Sequence, residues 1–561
     1  MRRLFIISFA LLMAVSVTAQ KAPKLPKGVL KASGSMASVL TYKDGVLHSN
    51  GTAFFLGENG DLVSSASLFA GVDSAVVIDA AGVVRPVKNI VGYNEMFDCV
   101  KVRVAWDKKI KPFLLSVGNV SLGDELYMVS YGGKKGGIVN PVKIAAVDSV
   151  YSNAYYTFDV PMDKGYLGLP LLDAEGAVVA LMQPAAVMDT VRSYAIGSSI
   201  FSSLTTSVAT FGRGLFPGMA IRTALPLEKE NALPCLYMQG IMGDSISYRA
   251  VIDDFIKLFP TAHEGYTAKG EYMAVYCRDM DAAEKAWNAA AERTDTVADV
   301  YFSKAKTIFA IVQSGDSVSH PMLSYENAFA AVDAAIENNQ QPLYVNYKAD
   351  MLFARRKFVE AAECYESLAS TNLRSPGIFA KASQCYSSVS DYDRAIILLD
   401  SAVNCYGEIG KTASAPYILT RALVKMTAKK YRDAVRDYNS YEEIVGSGLA
   451  AEFYYMREQA EVKGKMYQQA LNDIDMAIYL EPANPSYYVE KGVLCYRVKM
   501  TDEGLRTMEK AKELIPDVPD VHYLTGCLYL QKNDKKNARI NLEKALSMGH
   551  ADAKVRLEEL K

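Results

Sequence analysis

Histidine and tryptophan are scarce in this chain. Its 561 residues hold five His and two Trp. Any chemistry that needs an imidazole therefore has few candidates: His48, His263, His320, His522 and His550. No H-E-x-x-H occurs, and no G-x-x-x-x-G-K-[ST], so the usual zinc-protease and P-loop signatures are excluded. Eight Cys are present without a C-x-x-C pair, which argues against zinc and dithiol redox motifs. Neither metal nor cofactor is expected. A strong charge of one sign is also missing. The formal net charge is −2, so nothing favours nucleic acid or an anionic membrane.

Long apolar runs are missing too, beyond the N-terminus. Arg2 and Arg3 precede an apolar stretch over residues 4–15, too short for a membrane span. Val17-Thr18-Ala19 fits a small-residue cleavage site. Residues 1–19 therefore read as a signal peptide and 20–34 as a linker. The mature chain is expected to lack an integral membrane segment. No Cys follows the cleavage site, which argues against a lipoprotein. Export across the inner membrane is expected, with the periplasm favoured over the cell surface. An oxidising compartment would permit disulfides among Cys99, Cys235, Cys277, Cys364, Cys385, Cys405, Cys495 and Cys527. Buried free thiols packed on helices are the simpler expectation.

What is present divides into two periods. Residues 35–205 show short β-branched runs broken by Gly and Asp turns, which predicts an all-β barrel or sandwich. Asp44-Gly45 marks a hairpin. Residues 206–233, with Phe216-Pro217-Gly218 and Leu225-Pro226, read as a connector. Residues 234–561 show small residues near every 34 positions. Ala470, Gly504 and Ala538 open second helices. Gly492 and Gly526 lie twelve residues before the last two, and Ala477, Ala511 and Ala545 seven after each. Ala282, Ala361, Ala395 and Ala434 take the same opening role. Gly270, Ala349 and Ala422 are their earlier partners, and Ala289 and Ala402 later ones. About eight units are expected, with an insertion near residues 313–321 and a closing helix over 551–560.

Both halves resemble known families. Gly51-Thr52-Ala53-Phe54-Phe55-Leu56 with Val63-Ser64-Ser65-Ala66-Ser67-Leu68 resembles the "GTGFF … TNAHV" segment of trypsin-like serine proteases. Phe97-Asp98-Cys99-Val100-Lys101-Val102 resembles "DLALLKV". Gly165-Tyr166-Leu167-Gly168-Leu169-Pro170-Leu171 resembles "GNSGGPL", and Ser193-Tyr194-Ala195-Ile196-Gly197 the "FAIP" strand of HtrA-like proteases. The resemblance implies a double β-barrel. It puts the family's His on Ser67, its Asp on Asp98 and its nucleophilic Ser on Leu167. A hydroxyl and an isobutyl group cannot act as base and nucleophile, so the triad positions are degenerate and a catalytically inactive homologue is expected. His48 is the one His of the β region, and it precedes Ser67 by 19 residues. Leu169 also replaces a Gly of the turn that offers N–H groups to an oxyanion. Tyr131-Gly132-Gly133-Lys134-Lys135-Gly136-Gly137 reads as a turn between strands rather than an anion cradle, because no helix start follows it.

The C-terminal spacing resembles the tetratricopeptide repeat, an all-α solenoid. The resemblance implies a groove that binds a peptide or protein partner, lined here by Asn346, Asp350, Gln384, Tyr455, Gln459, Tyr496, Arg497, Tyr523 and Gln531. Aromatic, amide and Arg side chains suit such binding. The set lacks the Lys/Asn clamp used for C-terminal carboxylates. The combined expectation is a protein-binding adaptor or scaffold in a bacterial envelope. An active hydrolase with a displaced base and a self-assembling structural protein are the alternatives.

Overall fold

A computed structural model describes residues 25–105, 110–118, 120–133, 137–161, 163–184, 191–211, 220–315, 319–407 and 411–560. The signal-peptide reading, Lys134-Lys135-Gly136 and Phe216-Pro217-Gly218 lie outside these residues. The chain forms two compact units, residues up to Thr294 and Asp295–Lys561. The fold is an all-β, trypsin-like region followed by a repeat-like helical solenoid.

In the first unit the strands are β1 (Met36–Lys43), β2 (Val46–Phe55), β3 (Asp61–Ser65), β4 (Ser74–Asp79), β5 (Val84–Pro86), β6 (Asn89–Asn94), β7 (Cys99–Arg103), β8 (Glu125–Val129), β9 (Val139–Val150), β10 (Asn153–Phe158), β11 (Pro170–Leu172), β12 (Val178–Gln183) and β13 (Ser193–Gly197). One sheet runs β5-β4-β1-β2-β3-β7-β6, and a closed barrel runs β10-β13-β12-β11-β8-β9. The Asp44-Gly45 hairpin forms as its sequence requires. Lys43 pairs with Val46, and both turn residues have positive φ, 50° and 74°. Buried Phe54, Phe113 and Phe201 join the two lobes edge to face, with centroids 5.8 and 6.0 Å from Phe54. Beyond β13, Thr206 Oγ1 donates to Val91 O at 2.8 Å. Ile90 then exchanges hydrogen bonds with Arg222 O and Ala224 N, so residues of the expected connector pair with β6.

Two helix pairs complete this unit: Lys229–Met242 with Ser245–Leu258, and His263–Tyr272 with Met280–Ala291. The second shows where spacing misleads. Ala282 and Ala289 are only half-buried, whereas Ala283 and Ala290 are sealed. A π-helical turn over Met273–Cys277 precedes them and shifts the register by one residue.

The second unit stacks seven helix pairs and a closing helix, Ala551–Glu558, among the described residues. Pro342, Pro376, Pro485 and Pro519 occupy first turns, where a missing N–H costs nothing. The small residues permit close packing. A Cβ on Gly526 would lie 2.7 Å from Leu542 Cγ, and one on Gly492 2.2 Å from Met508 Sδ. Arg356, Ser390, Lys429, Lys465, Lys499 and Asn533 turn between paired helices with positive φ. All eight cysteines are free. No helix of the described residues is long and apolar enough to cross a membrane.

Candidate functional site

The site that the sequence singles out is built where β3 ends and β7 begins. Ser64 sits opposite Ala53, and its Oγ donates to Thr52 O at 2.7 Å. Ser65 pairs with Cys99. A short 3₁₀ turn, Ala66–Phe69, then lifts Ser67 into solvent. Asp98 enters β7 from the left-handed region, φ 43°, which Asp tolerates better than most residues. Its N–H donates to Glu95 O, and its own carbonyl accepts from Ala66 N at 3.0 Å. Those bonds aim the side chain at the serines. Ser65 Oγ donates to Asp98 Oδ2, Ser67 N to Oδ1 at 2.6 Å, and Ser67 Oγ to Oδ2 at 3.3 Å. The Ser65 and Ser67 hydroxyls also touch at 2.7 Å. Burial raises the Asp98 pKa above the ordinary aspartate value, against the pull of these donors. Beside it, burial pushes the Cys99 thiol up to about 12, so it is not a thiolate at neutral pH. Lys101 is committed elsewhere, donating to Phe201 O at 2.6 Å.

The turn that carries Leu167 packs onto this strand. Gly168 has φ 76°, and a Cβ there would lie 2.5 Å from Thr52 O and 3.2 Å from Ser64 Oγ. Both facts require glycine. In the serine-protease template the oxyanion is held by the amides of the nucleophile and of the residue two before it. Here the residue two before Leu167 is Gly165, and its N–H donates to Asp163 Oδ1 at 2.8 Å. Leu169 is buried in the barrel core. His48 lies exposed at the hairpin end of β2, the extra residue of a bulge, whereas Ser64 faces the other end of that strand. Ser67 and Asp98 are thus in contact with each other and not with His48. The arrangement offers two hydroxyls, Ser65 and Ser67, that donate to one buried carboxylate, Asp98.

The expected groove residues lie on the first helices of their pairs. Gln384 and Arg497 are exposed. Asp350 accepts from Tyr365 and from Lys381 Nζ at 2.7 Å. Gln531 bridges two neighbouring pairs through Tyr496 O at 3.0 Å and Thr501 Oγ1 at 2.8 Å. Tyr455 packs on Tyr487, and Tyr523 stacks on His550 with centroids 4.0 Å apart. Asn346 Oδ1 is buried without a hydrogen-bond partner. Gln459 Nε2 donates to the buried carboxyl of Glu458 at 2.7 Å.

Glu458 escaped the sequence reading, although a signal existed. It lies twelve residues before Ala470, where the two following units carry Gly492 and Gly526.

A family model described as a trypsin-like peptidase domain matches residues 51–181. No curated protein sequence matches the chain. Among solved structures, an HtrA-type protease, an AlgW variant with a tripeptide, is 18% identical at a TM-score of 0.28. That match covers 31% of this chain and 60% of the other. The active form of Rv3671c protease from M. tuberculosis is 17% identical at a TM-score of 0.29, over 37% of this chain and 100% of that one. An inactive mutant form of Rv3671c is 18% identical at 0.27, over 34% and 95%. The family model thus puts a trypsin-like peptidase domain within the N-terminal β region, at residues 51–181.

Proposed function

We propose that this protein is a catalytically inactive trypsin-like domain fused to a tetratricopeptide array, acting as a protein-binding adaptor in a bacterial envelope. The observation that carries this reading is the Ser67–Asp98 contact. The acid of the expected triad spends its acceptors on Ser65 and Ser67, and no imidazole lies between it and a nucleophile. Leu167 has no nucleophilic atom, and the Gly165 amide is already engaged. Binding is then assigned to the array, through the groove set from Asn346 to Gln531. Secretion to the periplasm, with 1–19 removed, belongs to the same proposal, as do the limits 35–205 for the β domain, 206–233 for the connector and 234–561 for the array.

The test uses the mature full-length chain as bait in extract from the source organism's envelope. A partner retained by the wild type and lost with Gln384→Ala and Arg497→Ala, both surface changes, supports the groove. In parallel the chain is incubated with unfolded casein and a fluorophosphonate probe. Turnover or Ser labelling that Ser67→Ala abolishes would reinstate a hydrolase.

A further inference from the structure

Each later helix pair of the array narrows at one position, twelve residues before the small residue that opens the second helix. That position is Ala349, Ser383, Ala422, Gly492 or Gly526, all buried. In the helix Ala451–Lys463 it is Glu458, with 0% of its surface exposed, and three residues on lies Glu461, at 3%. Glu458 Oε1 and Glu461 Oε2 have no hydrogen-bond partner.

The preceding pair supplies a register-matched contrast. There Arg421 grips Asp437 with two bonds, 2.7 and 3.0 Å, and Lys425 adds a second cation at 2.7 Å. Thirty-six residues later Arg457 grips Asp473 in the same way, at 2.6 and 2.9 Å, but Glu461 stands where Lys425 would. Arg457 is already committed, since its Nη1 also serves Glu442 at 2.6 Å and Asn439 at 2.9 Å. Glu461 lies beside the Asp473 carboxylate, whose negative charge opposes its ionisation. The titratable and charged groups around the two carboxyls are Glu442 on the helix before, Tyr454, Tyr455 and Arg457 on their own helix, Asp473 on the next, and Glu490 and Arg497 on the one after. Burial is the largest influence on both, with neighbouring acids adding to it. It lifts Glu458 to about 7 and Glu461 to about 8.

We infer that the helix pair Ala451–Leu480 is a proton-binding element, which packs with protons held on Glu458 and Glu461 and loosens when alkali removes them. Ionisation would place two more negative charges beside Asp473 in a site whose one buried cation is spent. The element is independent of the adaptor reading.

The test is hydrogen exchange of the full chain, with intrinsic rates corrected, compared between about pH 6 and about pH 9. Amides of 451–480 should lose protection at least roughly tenfold more than those of the neighbouring pair 411–445, the equivalent of one unit of proton linkage. Glu458→Ala with Glu461→Lys copies the preceding pair and should remove that difference. An equal response of the two pairs in wild type, or an unchanged difference in the double variant, overturns the proposal. Should the variant fail to fold, the infrared carboxylic-acid band of the wild type decides. A band that persists at pH 6 and bleaches towards pH 9 supports it, and no such band at pH 6 refutes it.

Discussion

Asp98 in the β domain and Glu461 in the helical array are both sealed from water, at 9% and 3% exposure, and they are accommodated in opposite ways. Asp98 receives two hydroxyls and a backbone N–H. Glu461 receives no donor at Oε2 and sits beside another acid, Asp473, whose charge raises its pKa further. Burial raises both pKa values, but only at Asp98 do several donors resist it. Depth alone does not decide whether a buried acid keeps its charge. The donors aimed at it do.

The comparison can be broken most severely at its cation. Arg457→Ala leaves Asp473 and Glu442 without their shared partner and should cost about 3–5 kcal/mol, read from the denaturant midpoint near neutral pH. Gly168→Ala comes next. It forces a Cβ against Thr52 O at a positive φ and should cost about 2–3 kcal/mol, seen in thermal unfolding of the β domain. Ser65→Ala sharpens the contrast by giving Asp98 one donor fewer. The expected loss is about 1–3 kcal/mol near pH 7, shrinking in acid as Asp98 takes a proton. Ser67→Ala should be the mildest, at about 0.5 kcal/mol, because the Ser67 N–H still reaches Asp98.

The pH dependence has a definite sign. Glu458 and Glu461 bind protons more tightly folded than unfolded. Their contribution to stability is complete below the ordinary carboxyl range, near about 4.3. It is lost as pH rises through about 7 and 8. A stability curve of the wild type that climbs over this interval would contradict that assignment.

Both period-2 strands and the 34-residue spacing were legible because each reflects local geometry. Asp44-Gly45 specifies its hairpin in two residues, and Gly526 marks a contact that excludes any side chain. Ser67, Asp98 and Leu167 could be placed by motif, but the hydrogen bonds that occupy Asp98 and Gly165 depend on segments 30 or more residues apart or on a turn's exact path. The π-helical turn at Met273–Cys277 carries no compositional mark, so Ala282 stood in for Ala283. The groove set was read as a surface, whereas Tyr523 and Tyr455 pack on neighbouring rings and Gln531 ties two pairs together. Glu458 broke the small-residue pattern in plain sight. Its meaning required knowing that Arg457 was already taken.

The connectivity of the two regions also sets how fast each is assembled. Thr206 reaches Val91 across 115 residues and Lys101 reaches Phe201 across 100. In the array, Tyr344 bonds Asp299 across 45 residues, and most side-chain links are shorter. Long loops must close before barrel contacts repay their entropy, whereas neighbouring helices meet at little cost. Refolding from denaturant should therefore be biphasic. Helical circular dichroism should return first, and the tight turn at Gly168 should close in the slow phase.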